Sequence, residues 1–243
     1  MKNVRTVLIT GGAVGIGRSI ALKYALNDWN VICHYFSSHE RASSVKHEIN
    51  DIGQRCSLIQ GNLSSMEDIE DFIEEIRYIK IDALINNAGG YVSEKHFTNL
   101  RYKDLLETFT LNIFAPILIS SHVFINMKES NFGRIVNISS IAAKYGGSRS
   151  SLHYGCSKCA LEGLTKTLAK EGADYDVLVN TIRPGVIDTN FHSKYPKDIE
   201  TRIAMVPLKR IGTPEEVAEV VYFLGSEKNT YITNEVVTIS GGE

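Results

Sequence analysis

The sequence predicts an α/β fold, a doubly wound and mostly parallel sheet flanked by helices, and two observations support this prediction. Short apolar, β-branched segments alternate with longer segments of helical periodicity along the whole chain. In addition, a glycine-rich stretch at residues 11–17 joins the first predicted strand to the first predicted helix. The chain has 243 residues, of which 43% are hydrophobic, and it contains no linker or repeat. We therefore expect a single domain over residues 1–243.

The predicted elements alternate without interruption. Strands are predicted at residues 5–10, 30–35, 55–60, 81–86, 134–139, 177–183 and 235–239. Helices are predicted at residues 18–27, 40–51, 66–77, 100–127, 154–173 and 214–224. Strands that are apolar throughout are typical of a parallel sheet buried on both faces. In such a sheet a ligand binds at the carboxyl ends of the strands.

Charge and cysteine content exclude several classes of function. The net charge of −2 and the absence of a basic run argue against nucleic acid and against a membrane surface as partners. No signal peptide or apolar segment of about 18 residues is recognisable, so a cytoplasmic protein is expected. Cys156 and Cys159 match the redox pattern Cys-x-x-Cys, but no second pair is available for zinc and no metal site is predicted. We expect these thiols to pack a helix against the sheet.

The glycine-rich stretch predicts a dinucleotide-binding, Rossmann-like site. Glycines between a strand and a helix allow the backbone to approach a pyrophosphate, which the free N–H groups and the dipole of the helix stabilise. The candidate residues are Gly11, Gly15, Ile16 and Gly17. The spacing is Gly-x3-Gly-x-Gly, and an ordinary tight turn is the alternative, which the strand-loop-helix setting disfavours.

Tyr154 and Lys158 are the candidate catalytic pair. They lie one helical turn apart, after an apolar strand that ends in Ser139 and Ser140. A neighbouring cation favours the charged form of a phenol, whose pKa is otherwise near ~10, and so makes it a better proton donor or acceptor near neutrality. Chance alone supplies about one Tyr-x3-Lys pair in such a chain, and Tyr91 begins a second one. Only Tyr154 follows a strand that ends in hydroxyls, so we expect Tyr91 to lie outside the reaction.

A local defect is predicted at Asn112, inside the helix at residues 100–127. Pro116 lies four residues later and has no N–H, so the Asn112 carbonyl loses its helical partner and the helix should kink. The alternative is a polar residue that bonds to its neighbours or faces solvent.

These motifs together resemble the single-domain short-chain dehydrogenases/reductases. The resemblance rests on Thr10-Gly11-x3-Gly15-x-Gly17, Asn86-Asn87-Ala88-Gly89, Asn112, Ser140, Tyr154-x3-Lys158 and Arg183-Pro184-Gly185, in that order. Residues 207–218 and 231–233 look most like the β-ketoacyl-carrier-protein reductase branch. The resemblance implies hydride transfer between a nicotinamide and a carbonyl or alcohol carbon, with Tyr154 exchanging the proton. It also implies that Lys158 holds the nicotinamide ribose and lowers the Tyr154 pKa, and that Ser140 bonds the substrate oxygen. The Asn112 carbonyl would bind a water that relays protons to Lys158. Ser139 is the alternative serine.

The resemblance also assigns cofactor-binding positions. Asn87, Ala88 and Gly89 would lie beside the adenosine ribose, and Asn62 and Leu63 stand where the family usually has Asp and an apolar residue beside adenine. The nicotinamide carboxamide would be held by Pro184, Gly185, Val186, Ile187 and Thr189. Tyr35 stands where NAD enzymes of the family place Asp, while Ser37 and Ser38 offer hydroxyl and N–H groups to a 2′-phosphate. We therefore expect NADP(H), with NAD(H) as the alternative because no Arg or Lys directly follows the strand.

The expected substrate is a small carbonyl compound or an acyl thioester. Residues 141–153 and 186–205, including Phe191 and Tyr195, are expected on the substrate side. Carrier-protein reductases tend to present arginines near the entrance, but the positions to compare carry Asn131 and Tyr175, so charge does not favour an acidic carrier.

A homotetramer is expected by resemblance and from apolar residues on two long helices, among them Phe109, Phe114, Leu161, Leu164 and Leu168. Two other functions were weighed: a cofactor-sensing regulator, which would lack the Tyr/Lys pair, and an extended sugar-nucleotide epimerase, which would have a longer carboxyl-terminal domain.

Overall fold

The seven strands within the described residues form one parallel sheet. The computed structural model describes residues 4–91, 93–189 and 199–243. The strands are β1 (Thr6–Ile9), β2 (Asn30–Tyr35), β3 (Cys56–Gln60), β4 (Ala83–Asn86), β5 (Gly133–Ile138), β6 (Val177–Pro184) and β7 (Val236–Ile239). Their order is β3-β2-β1-β4-β5-β6-β7, and every neighbouring pair is parallel. The predicted fold class is confirmed.

Helices connect these strands and cover both faces of the sheet. They are α1 (Gly15–Ala25), α2 (His39–Asp51), α3 (Met66–Ile76), α4 (Tyr102–Phe109), α5 (Ala115–Glu129), α6 (Ile141–Tyr145), α7 (Leu152–Gly172), α8 (Ile199–Met205) and α9 (Pro214–Leu224). Short 3-10 turns lie at Phe97–Asn99 and Ala173–Tyr175. The α6 and α8 helices were not predicted from the sequence.

Side chains alternate between two apolar cores, one on each face of the sheet. In β1, Val7 and Ile9 pack into one core with α1, α2 and α9, whereas Leu8 packs into the other with α3 and α5. The strands are therefore apolar throughout, because neither face of the sheet meets solvent. The chain leaves β1 towards β2 on one side and later returns to place β4 on the other side. This reversal is a topological switch point, and it puts a crevice at the carboxyl ends of β1 and β4.

The predicted helix at residues 100–127 is interrupted where the defect at Asn112 was expected. The α4 and α5 helices are joined by a π-helical turn at Thr110–Phe114, closed by a hydrogen bond from the Ala115 N–H to the Thr110 carbonyl. A wider turn of this kind accommodates Pro116, which cannot donate to the Asn112 carbonyl. The combined run Tyr102–Glu129 is long and apolar enough to span a membrane, but 56% of its most apolar window is buried in this fold, which is typical of a core helix.

The two cysteines of the Cys-x-x-Cys pattern do not pack against the sheet. Cys156 and Cys159 are both exposed on α7, so the packing role expected for them is wrong. The Cys159 thiol donates to the Ala143 carbonyl of α6, at 3.2 Å. Both thiols are free, and no cluster of three or more metal-ligating side chains occurs within residues 4–91, 93–189 and 199–243.

Candidate active site

The crevice at the switch point is a cleft of about 580 Å³ at the carboxyl ends of the strands. Its walls come from the loop after β1, the segment after β4, the end of β5 with α6, the start of α7, and the segment after β6. Most of the predicted site residues line it: Gly11, Gly15, Ile16, Gly17, Ser38, Asn87, Ala88, Gly89, Ser140, Tyr154, Lys158, Pro184, Gly185, Val186, Ile187 and Thr189. The fold thus brings together motifs that lie up to 178 residues apart in the chain.

The glycine loop is locked to the end of β4. The Thr10 hydroxyl accepts from the N–H groups of Asn87 and Ala88, each at 3.0 Å, and the Asn87 amide donates to the carbonyls of Thr10 and Gly11. A Cβ on Gly17 would collide with the Gly11 carbonyl oxygen, and Gly11 and Gly15 have φ angles of +64° and +51°. Glycine is required at these positions because both space and backbone conformation exclude a side chain. The loop therefore has the open backbone surface that a dinucleotide pyrophosphate needs.

Lys158 is buried at the base of the cleft, beneath Tyr154. Its side chain is 2% exposed, and its Nζ donates to the Ile138 carbonyl at 2.8 Å and lies 5.7 Å from the centre of the Tyr154 ring. Burial lowers the pKa of the Lys158 ammonium to about 7, because transfer out of water penalises the charged form. The predicted pair is therefore assembled in the cleft, with the half-buried phenol above the amine.

Asn112 lies behind the cleft wall and does not line the cleft. Its side-chain Oδ1 accepts from the Gly90 N–H, and its Nδ2 donates to the carbonyls of Gly90 and Thr108. A Cβ at Gly89 would come within 2.7 Å of the Lys158 Nζ and 2.9 Å of the Asn112 Oδ1. Asn112 and Lys158 are thus both close to Gly89, and a side chain at this position would collide with both.

The two serines after β5 have different surroundings. The Ser139 hydroxyl is buried and donates to Glu162 at 2.9 Å, and Glu162 is also held by two hydrogen bonds from Arg183. The Ser140 side chain caps the amino terminus of α6, where its Oγ accepts a hydrogen bond from the Ala142 N–H at 3.1 Å. The hydroxyl proton of Ser140 remains available to the cleft. This geometry favours Ser140 over Ser139 as the serine that meets a substrate.

Four predicted cofactor residues lie outside the cleft walls. Tyr35 is 6% exposed, and its hydroxyl pairs with His39 at 2.7 Å, whereas Ser37 is exposed. The Asn62 side chain turns back to accept from the N–H and hydroxyl of Ser64. Leu63 is buried in the core beneath α3. Only Ser38 from this end of the predicted site reaches the cleft.

Other cleft residues were not predicted from the sequence. Tyr91 is 3% exposed, and its ring centre lies 5.5 Å from that of Tyr154 and 5.7 Å from that of the fully buried His153. Tyr91 therefore lines the cleft beside Tyr154, although we expect it to take no part in the reaction. Its supposed partner Lys95 instead pairs with Asp104, at 2.7 Å. Val14 is a further wall residue that was not predicted. In contrast, Tyr145, Ser148 and Ser151 belong to the segment 141–153 and Arg202 to the segment 186–205, the two segments expected on the substrate side. Phe191 and Tyr195 lie outside the described residues.

Comparison with known proteins identifies the family. The short chain dehydrogenase family model matches residues 5–200. The chain belongs to the short-chain dehydrogenases. It is 40% identical over 239 residues to the 3-oxoacyl-[acyl-carrier-protein] reductase FabG of Aquifex aeolicus. The aligned region covers 97% of this chain and 95% of the relative.

Two solved structures extend the comparison. A 3-oxoacyl (acyl-carrier-protein) reductase from Agrobacterium tumefaciens C58 with NADP bound has a TM-score of 0.89 at 28% identity, covering 98% of this chain and 94% of that one. The acetoin dehydrogenase of Enterobacter cloacae also has a TM-score of 0.89 at 28% identity, covering 100% and 96%. This short-chain dehydrogenase is an NAD(P)-dependent oxidoreductase of the 3-oxoacyl reductase branch.

The buried lysine predicts a stability cost in this short-chain dehydrogenase. Because the folded pKa of Lys158 is near 7 and the ordinary value is 10.5, the unfolded chain binds the proton more tightly between these values. The free energy of unfolding therefore falls as pH drops through this range. Lys158→Met should raise the free energy of unfolding of the cofactor-free protein by about 1–3 kcal/mol at pH 7. The gain should shrink towards pH 10.

Chemical denaturation at pH 7 and pH 10 measures this difference. Lys166→Met, on the exposed face of the same helix, is the matched control and should change stability little at either pH. A Lys158→Met protein that is less stable than wild type at pH 7 would show that the lysine is not held at a cost.

Proposed function

We propose that this short-chain dehydrogenase reduces a carbonyl group with a hydride from NADPH, and that its substrates are 3-oxoacyl thioesters. The observation that carries the proposal is the placement of Tyr154 and the buried Lys158 in the same cleft as the glycine loop. The Aquifex aeolicus relative, which is named for 3-oxoacyl reduction, supports the thioester class. The acetoin dehydrogenase neighbour makes a small hydroxyketone the second candidate substrate.

The cofactor would lie along the cleft from the glycine loop to the segment after β6. The backbone at Gly11, Gly15, Ile16 and Gly17 would hold the pyrophosphate. Asn87, Ala88 and Gly89 would border the adenosine ribose, and residues 184–189 would hold the nicotinamide. The bound cofactor supplies the hydride that reaches the carbonyl carbon. Asn62 and Leu63 support the adenine end only through the turn they form, since their side chains point elsewhere.

Each of the four catalytic residues has a defined role in this proposal. The Tyr154 hydroxyl donates a proton to the carbonyl oxygen as the hydride arrives, and Ser140 donates a hydrogen bond to the same oxygen. Lys158 in its charged form stabilises the phenolate left on Tyr154 and contacts the nicotinamide ribose. Asn112 passes protons towards Lys158 through water at its backbone carbonyl, which lacks an N–H partner at Pro116.

Removal of the Tyr154 hydroxyl should abolish most of the activity. Tyr154→Phe is expected to lower kcat on the order of 10²-fold or more, while the fold and NADPH binding remain, because the proton donor is lost and little volume changes. The measurement is cofactor absorbance with acetoacetyl thioesters, quinones, simple ketones and acetoin as substrates. Normal turnover by this variant would refute the assignment.

Two further tyrosines serve as comparisons. Tyr78→Phe alters a residue that is 87% exposed and should leave kcat unchanged. Tyr91→Phe keeps the ring that packs against Tyr154 and should stay within a few-fold of wild type. A loss at Tyr91 equal to that at Tyr154 would mean that the donor had been misassigned.

The same assay can distinguish a coenzyme A thioester from a carrier-protein thioester as the substrate. Asn131 and Tyr175 stand at the positions where a carrier-protein reductase would show arginines, and the Lys128 ammonium lies over the Tyr175 ring at 4.3 Å. An acyl thioester is therefore proposed without an acidic carrier as an obligatory partner. Equal kcat/KM for acetoacetyl-coenzyme A and the acetoacetyl carrier protein supports this, whereas a large preference for the carrier contradicts it.

NADP(H) is the proposed cofactor because no acidic side chain directly follows β2 to repel a 2′-phosphate, and the nearest one, Glu40, lies in the first turn of α2. Ser37 is exposed, Ser38 lines the cleft, and Tyr35 is tied to His39. The NADP bound to the Agrobacterium tumefaciens relative supports this proposal. Ser37→Asp should shift the ratio of kcat/KM from NADPH towards NADH by about tenfold or more, because the new carboxylate repels the phosphate. Wild-type preference for NADH would contradict it.

A cofactor-sensing regulator and an extended epimerase are less well supported. A regulator has no need of a lysine buried beneath a tyrosine, and such a lysine costs stability. An extended epimerase would not match reductases that this chain covers over nearly their full length. Turnover of any ketone with NADPH rules out the purely regulatory function. A rate of NADPH oxidation with a carbonyl substrate that falls in Tyr154→Phe also distinguishes reduction from epimerisation.

We also propose a cytoplasmic homotetramer. Three apolar side chains between α4 and the end of α5 are exposed and could be covered by another subunit. They are Phe114, Ile117 and Ile125, exposed at 37%, 38% and 59%. Of the apolar residues predicted to mediate assembly, Leu161 is buried within the subunit, whereas Phe109, Leu164 and Leu168 are partly buried. Free cysteines accord with a reducing compartment. Light scattering at micromolar concentration tests assembly, and a monomer would contradict it.

A further inference from the structure

His34 is a buried histidine that bridges two backbone segments of the proposed cofactor site. It lies on β2 and is 2% exposed. Its Nδ1 is 3.1 Å from the Gly11 nitrogen, and its Nε2 is 3.0 Å from the Gly61 carbonyl oxygen. The Gly11 N–H can only donate and the Gly61 carbonyl can only accept. The ring is therefore the neutral tautomer with its proton on Nε2.

The first of these contacts fixes the glycine loop. Gly11 has a φ angle of +64° and begins the loop that would carry the pyrophosphate. The next N–H, that of Gly12, donates to the backbone carbonyl of the same His34, at 2.9 Å. Residue 34 thus holds two consecutive N–H groups of the loop, one with its side chain and one with its backbone. Loss of the ring would leave the Gly11 N–H without this acceptor.

The second contact fixes the turn at the far end of the same site. Gly61 directly follows β3, and the next residue, Asn62, forms the turn beside which adenine is expected. That turn is closed by a hydrogen bond from the Asn62 N–H to Asp68, at 2.8 Å. One imidazole therefore connects the pyrophosphate end and the adenine end of the site.

The surroundings of the ring keep it in place and uncharged. Phe72 of α3 packs against it edge to face, with ring centres 5.2 Å apart. Burial lowers the pKa of His34 to about 4, so that the neutral tautomer persists at physiological pH. Protonation of Nδ1 would place an N–H opposite the Gly11 N–H and break the contact.

We propose that His34 is a positioning residue for the cofactor, which sets the spacing between the glycine loop and the turn after β3. The proposal rests on the proposed function only in requiring that NADPH binds in this cleft. Its test is a binding measurement without substrate, so failure of carbonyl reduction leaves the test intact. Absence of NADPH and NADH binding by the wild type would instead refute the proposed function.

Two amide variants separate the two contacts. In His34→Asn, the side-chain oxygen can occupy the position of Nδ1 and accept from Gly11, but the amide does not reach Gly61. In His34→Gln, the longer amide reaches the position of Nε2 and donates to the Gly61 carbonyl, but no longer accepts a hydrogen bond from the Gly11 N–H. His34→Leu removes both contacts at similar volume. His47→Leu, on the exposed face of α2, is the matched control.

The readouts are the NADPH dissociation constant from cofactor fluorescence, the Tm, and kcat at saturating NADPH. We expect His34→Leu to weaken NADPH binding by about 10–100-fold with kcat within a few-fold of wild type, because the reacting groups are untouched. His34→Asn should recover most of the binding and His34→Gln less, since the glycine loop meets the pyrophosphate directly. His47→Leu should bind as wild type does.

The outcomes distinguish positioning from a purely structural role. A folded His34→Leu protein that binds NADPH within twofold of wild type overturns the proposal. If that variant does not fold, the comparison of His34→Asn with His34→Gln decides: unequal affinities at similar Tm support it. Equal affinities, or affinities that simply follow Tm across the series, show that the histidine only stabilises the fold.

Discussion

The close contact between the glycine loop and the end of β4 is the constraint on which the rest of the site depends. Thr10 and Asn87 exchange hydrogen bonds across these two adjacent strands, and Gly17 can sit against the Gly11 carbonyl only because it has no side chain. The contact occurs at the switch point of the sheet, where the chain turns to opposite sides. The crevice and the open backbone surface above it are therefore products of one packing arrangement.

Burial of a lysine is the second constraint, and it works against stability. A side chain at Gly89 would crowd the Lys158 amine, and the hydrogen bond of this amine to the Ile138 carbonyl does not replace full hydration. The lowered pKa of Lys158 measures that penalty. A chain selected for stability alone would place an apolar residue here. The retained amine thus indicates chemistry, since residues at functional sites commonly cost stability that the scaffold supplies elsewhere.

The sequence predicted the strands and the cleft better than the details of side-chain direction. Strand positions follow from apolar, β-branched segments, and the cleft follows from parallel strands that end at one edge, so Gly15, Asn87 and Tyr154 were foreseeable. The α6 and α8 helices have only 5 and 7 residues, too short to show a clear helical period. The position of Tyr91 in the cleft was not foreseeable, because no local pattern reveals that its segment packs against the start of α7. The direction of the Asn62 side chain was also not foreseeable, because its amide oxygen is used by its own turn.

The contrast between Ser139 and Ser140 shows why neighbouring residues of one type acquire different roles. In extended backbone, successive side chains point to opposite faces. Ser139 points towards α7, where Glu162 and Arg183 form an ion pair at 2.7 Å and where the serine completes the hydrogen bonding of the carboxylate. Ser140 therefore points the other way, and its side chain caps the amino terminus of α6 at the cleft. The ion pair between α7 and β6 thus engages the Ser139 hydroxyl and leaves that of Ser140 for the cleft, although neither member of the pair lines the cleft.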